Sequence, residues 1–153
     1  MSVNHDLANY VGRWTGTNKL YLSHLPEPLK QSQSTLNVSL KANGQFVAFE
    51  YTWAYEGEPQ EGIILLGCDT KSAAVQTVWT DSWHSSHTFM LSDGTAAKNG
   101  EISVKGYYKV EGHPDWGWRT DIIPGNEKLR IVMYNVSPEG EEELAVETDF
   151  VRT

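Results

Sequence analysis

The chain has 153 residues, enough for one domain spanning 1–153 and short for two. Hydrophobic residues make up 39% of it, which supports a packed core. The formal net charge of −8 (12 basic against 20 acidic side chains) disfavours nucleic acid and anionic membrane surfaces, both of which need a cationic face. A single cysteine excludes an intrachain disulfide, and no apolar run approaches the roughly 20 residues of a membrane helix. Met1 to Asp6 carries neither the basic nor the apolar stretch of a secretory signal, so the expected setting is cytoplasmic, with no membrane partner.

Taken in chain order, Asp6 to Tyr10 reads as a short helical turn with Asn4 as a candidate cap. Gly12 to Leu22 is the first predicted strand. Ser23 to Ser34, which contains Pro26 and Pro28, reads as a long crossing loop. Leu36, Val38 and Leu40 alternate before Asn43-Gly44, a pair that tolerates positive φ and signals a hairpin into Phe46 to Tyr55. Glu56 to Pro59 turns the chain into Gly62 to Cys68, which ends at Asp69-Thr70-Lys71. Val75 to His84 and Thr88 to Leu91 follow, and Asp93-Gly94 reads as a turn. Ile102 to Val110, Trp118 to Ile123, Leu129 to Val136 and Leu144 to Val151 complete the series, separated by turns rich in glycine and proline. About ten short strands joined mainly by hairpins predict an all-β fold, a single antiparallel up-and-down β-barrel.

Gly12-Arg13-Trp14 opens the first strand and Arg152 ends the last. This pairing resembles the calycin barrels, the lipocalins and fatty-acid-binding proteins. That resemblance implies that Trp14 plugs one end, with Arg152 packed across its ring and Gly12 allowing close approach. Further segments are Glu61 to Asp69, Trp79-Thr80-Asp81-Ser82, Trp118-Arg119, and Gly140-Glu141-Glu142 with Glu147 and Arg152. They resemble an uncharacterised bacterial calycin-like family, a domain of unknown function, over about residues 9–153. The resemblance implies a barrel and little about activity. An aromatic residue is expected where this chain has Cys68.

The candidate site is an aromatic stripe. Tyr51, Trp53 and Tyr55 share one strand face, and Trp79, Asp81 and Trp83 share another by strict alternation. If both faces point inward they line a cavity with flat apolar walls and a few polar groups, to which Arg119 and Glu147 would add charge. Asp81, between two tryptophans, needs a partner, and Arg119 is the candidate. Alternation sets Ser82 and His84 opposite Asp81, so the three are not read as a catalytic triad.

The first functional expectation is a binding protein for a small hydrophobic or aromatic molecule held in the barrel. A second is an enzyme using Asp81 or Glu147 as acid/base, which requires a raised carboxylate pKa. A third is an interaction module with a filled barrel, able to form homo-oligomers through exposed aromatics such as Trp116 and Trp118. His84-x-x-His87 lies on a strand and is not expected to bind metal. No cofactor is expected. Haem is disfavoured because no histidine follows His113, and haem-binding calycin-like barrels draw theirs from the C-terminal part. Cys68 reads as a small buried residue.

Overall fold

The computed structural model describes residues 6–85 and 87–153. Asn4 and Ser86 therefore lie outside the described residues, and with them the cap predicted at Asn4. A 3-10 turn, Ala8–Tyr10, precedes ten strands. They are β1 (Gly12–Tyr21), β2 (Leu29–Lys41), β3 (Phe46–Tyr55), β4 (Glu58–Cys68), β5 (Ala74–Asp81), β6 (Met90–Ala96), β7 (Ile102–Tyr108), β8 (Trp116–Pro124), β9 (Lys128–Val136) and β10 (Glu142–Arg152). Each strand pairs antiparallel with its neighbour in sequence, and β1 pairs with β10, so the sheet closes into an up-and-down barrel with no free edge.

Several boundaries shift by a few residues from the sequence reading, β4 beginning at Glu58 and β7 ending at Tyr108 among them, and three differences are larger. The loop expected over Ser23 to Ser34 is shorter, because β2 begins at Leu29 and pairs with β1 from Leu29 to Val38. Ser34 faces the core at 2% exposure, and inward serines hide the hydrophobic alternation. Asp93-Gly94 is not a turn but lies within β6. A side chain on Gly94 would meet the Ser103 carbonyl oxygen at 1.8 Å, so this glycine serves a close strand approach. The strand expected to run to His84 stops at Asp81, for a reason that belongs to the site below.

The lumen is packed, not hollow. Trp14, Leu36, Phe49, Ile64, Leu66 and Ile122 are almost wholly buried within it. Trp14 closes one end. Its ring lies against Tyr10 at 5.9 Å, its Nε1 donates to the Tyr10 carbonyl at 2.9 Å, and the Arg152 guanidinium sits 4.4 Å from its centre. Arg152 also donates to the carbonyls of Val11, at 3.1 Å, and Asn9, tying the 3-10 turn over the barrel end. Gly12, at φ +132°, takes a conformation that side chains rarely adopt, and a Cβ there would press on the guanidinium at 3.1 Å.

Trp14→Ala should lower stability to urea by about 3–5 kcal/mol, the usual range for emptying a buried tryptophan site. Arg152→Ala should lower it by about 1–2 kcal/mol, because the cation–π contact, two hydrogen bonds and a surface ion pair with Glu127 are lost. Equal effects of the two changes would contradict the assignment of Trp14 as the plug.

Candidate functional site

The stripes on β3 and β5 both point inward. They meet at the end of the barrel opposite Trp14, across β4, where Gly62 lies between Tyr51 and Asp81 in the strand register. A Cβ on Gly62 would fall 2.3 Å from the Tyr51 hydroxyl. The missing side chain lets the phenol lie across β4 and donate to Asp81 Oδ2 at 2.6 Å. Trp53 Nε1 donates to the same oxygen at 3.1 Å, and Trp79 Nε1 donates to the Tyr51 hydroxyl at 2.8 Å.

The other carboxylate oxygen shapes the chain. Asp81 Oδ1 accepts from the backbone N–H of Trp83 at 2.8 Å and of His84 at 3.0 Å. An aspartate that binds the amides two and three residues on makes a turn, and this ends β5 at Asp81. Trp83, expected to continue the inward face, instead sits in this turn at 36% exposure, edge-on to Trp53 and tilted against Tyr55. His84, expected on the far face, is folded back over Asp81 with its Nδ1 3.2 Å from Oδ1. Ser82 points away, donating to Gln60 at 2.7 Å and accepting from the Glu61 amide, so its hydroxyl does not join the Asp81–His84 pair.

His84 is ringed by tryptophans. Its ring centre lies 4.8 Å from Trp83, 5.5 Å from Trp79, 5.5 Å from Trp118 and 5.6 Å from Trp53. Trp118 stacks on Trp79 at 5.5 Å, nearly parallel. Both His84 nitrogens and Trp118 Nε1 are shut off from solvent and make no contact of hydrogen-bond geometry.

Arg119 does not reach Asp81. It lies between inward-facing Trp118 and Thr120, so alternation turns it outward. There it pairs with Asp121 and with Glu142 at 2.5 Å, and covers the Tyr134 ring at 4.2 Å. Glu147 is likewise on the outer face, accepting from the Tyr21 hydroxyl at 2.8 Å and pairing with Arg130. The charges expected from these two inside the barrel are therefore not there.

Burial alone would raise the Asp81 pKa. The facing His84 ring and the hydrogen bonds from Tyr51 and the His84 amide overcome it and hold the carboxyl down at about 2. Burial first, and then the Asp81 charge, push the Tyr51 phenol well above its usual value, so it stays a donor. Glu147 is held below the usual range, chiefly by the Tyr21 hydrogen bond. Neither carboxylate has the raised pKa that acid/base catalysis by Asp81 or Glu147 required.

Two spaces adjoin this cluster. An inner chamber of about 20 Å³, room for one water, is lined by polar Asn18, Ser34, Asp81 and Thr148 as well as apolar Met133 and Phe150. An outer chamber of about 220 Å³ opens at the barrel mouth, between Leu20, Leu22, Trp83, Trp118 and Leu144. Among the described residues His84 alone lines both. The stripe therefore fills most of the lumen, and of the two spaces beside the cluster the larger is at the mouth. A larger, polar concavity of about 1000 Å³ lies over the outer face of β2 to β5. Several of its hydroxyls are already paired, Thr35 with Thr52 and Ser82 with Gln60.

Among the described residues, no group of three or more histidine, cysteine, aspartate or glutamate side chains is placed to hold a metal ion. No described helix is long and apolar enough to cross a membrane. Cys68 is half-buried at the end of β4. Trp116 and Trp118 are half-buried, not exposed; the exposed large apolar side chains include Phe89, Leu91 and Tyr107, on or beside β6 and β7.

Asp81 has a folded-state pKa below its unfolded one, so its contribution is full above about pH 4 and is lost as pH falls toward about 2. The shift corresponds to about 2 kcal/mol. Asp81→Asn should therefore be destabilised at pH 7, and the gap to the parent protein should narrow as urea melts are taken from pH 5 toward pH 3. A gap that stays constant or widens on acidification would contradict this.

The fold is shared with a solved structure, "Crystal Structure of Rv2717c from M. tuberculosis", at TM-score 0.69 and 12% identity, covering 99% of this chain and 97% of that one. At that identity the likeness shows the fold alone. None of the curated proteins matches the chain. Residues 2–152 match the family described as "Protein of unknown function (DUF1579)", and the chain belongs to that family.

Proposed function

We propose that the protein binds a small, partly aromatic molecule at the open mouth of its barrel, in the chamber between Trp83, His84 and Trp118. One observation carries this reading. The end closed by Trp14 is sealed by packing and hydrogen bonds, while the opposite end keeps a 220 Å³ chamber whose wall joins aromatic and aliphatic side chains to polar His24, Asn135 and Glu143. Concave, mostly apolar spaces with a few polar groups are where proteins hold small ligands. The size favours a molecule of one or two rings over a long acyl chain, because the inner chamber beyond His84 has room for only about one water.

The wall of tryptophans makes the test direct. Titration with a panel of small aromatic and aliphatic molecules should change tryptophan fluorescence saturably for the aromatic members. Leu144→Trp, which fills the outer chamber from β10, should abolish the change without altering the fold. A response that is absent across the panel, or unaffected by filling the chamber, would contradict the reading.

A further inference from the structure

We propose that the outer face of β6 and β7 is the contact surface between two copies of this chain, related by a two-fold axis that runs along the strands. None of its residues lines the mouth chamber. Phe89, Leu91 and Tyr107, at 75%, 60% and 61%, are the three most exposed large apolar side chains among the described residues. They are also neighbours. β6 and β7 pair at Ser92 and Gly106, both turned inward, so the next step of that register sets Leu91 beside Tyr107 on the outer face. Phe89 lies two residues before Leu91, and half-buried Val78 flanks Leu91 from β5. Clustered apolar side chains in water mark a surface that something covers. The closed barrel has no free strand edge, so a partner has to lie on a face.

Two charges on this face identify the partner as a second copy. Asp93 and Lys105 are Cα partners across β6 and β7, one outward row from Leu91 and Tyr107. Opposite charges placed so ordinarily pair. Here each leans away from the other. Asp93 accepts from Gln76 at 3.4 Å, and Lys105 Nζ lies over the Tyr107 ring, 5.2 Å from its centre. Among the described residues neither makes an ion pair. The two stand at one height on either side of a line between the strands, as do Leu91 and Tyr107. Turning the face over about that line exchanges the members of each pair. A second copy laid on the first in this way sets Leu91 on the partner's Tyr107 and Lys105 on the partner's Asp93, each contact made twice. A symmetric dimer requires such a self-complementary surface.

Two convex barrels touch over few strands, which puts the contact among the small, transient interfaces, with a dissociation constant of about 10–100 μM. Sedimentation equilibrium of the full chain from about 5 μM to about 500 μM should therefore follow a monomer–dimer equilibrium. Lys105→Asp sets like charges against each other across the axis and should weaken the dimer about tenfold, as should Asp93→Lys. The double variant, Asp93→Lys with Lys105→Asp, should restore it, because exchanged charges again meet their opposites. Leu91→Asp should abolish it.

Should a variant fold poorly, the parent protein still decides: amide shifts that move with its concentration should be confined to β6, β7 and the residues flanking them. A monomer throughout the range would overturn the dimer and leave the face to a different partner. A dimer insensitive to the single charge reversals, not restored by the double one, or marked by shifts on other strands would overturn it as well, since the copies would then meet elsewhere.

Discussion

The open end of this barrel is organised by one buried carboxylate. Asp81 is 2% exposed and accepts from a phenol, an indole and two backbone amides, with an imidazole facing it. A buried charge is tolerable only when its lone pairs are occupied. Here the occupation has structural consequences. Binding the amides of Trp83 and His84 ends β5 and turns the chain inward. Binding Tyr51 and Trp53 fixes the rings of β3. The tryptophans then close around the histidine that the turn delivers. Removing Asp81 would leave at least three buried donors competing for water that the packing excludes.

The two ends of the barrel are built on contrasting principles. At one end a cation caps an indole and donates to the backbone of the preceding turn, so the donors are spent within the protein. At the other end an anion gathers aromatic side chains around an imidazole, and both His84 nitrogens and Trp118 Nε1 are buried without a contact of hydrogen-bond geometry. That asymmetry directs attention to the mouth. The deep lumen, which the aromatic content first suggested as a container, is occupied by the aromatic residues themselves.

Much of the fold was legible because strand alternation and turn chemistry act locally. The Asn43-Gly44 hairpin and the shared faces of Tyr51, Trp53 and Tyr55 and of Trp79 and Asp81 follow from residue type and spacing, while the Trp14–Arg152 closure came from the resemblance to the calycin barrels. What was not legible depends on contacts across strands. Gly62 looked like any strand glycine until the register placed it beneath the Tyr51 phenol. His84 was assigned to the wrong face because the alternation was continued through Trp83, whereas an aspartate that binds the next two amides breaks the period. An Asp followed by Ser at the end of an apolar strand was the available signal. Arg119 and Glu147 lie on the outer face because the residues on either side of each, Trp118 and Thr120, and Val146 and Thr148, face inward, an orientation that becomes readable only once the interior face of each strand is known.

The central claim is that the mouth chamber, and not the lumen or the outer surface, receives a small aromatic molecule. Nitrogen–proton NMR resolves the indole N–H of each tryptophan, and these report from both ends of the barrel. On titration with an aromatic ligand the account predicts saturable shifts of Trp118 and Trp83 while Trp14, at the sealed end, stays in place. Shifts that appear at Trp14, or that fail to saturate at Trp118, would contradict it.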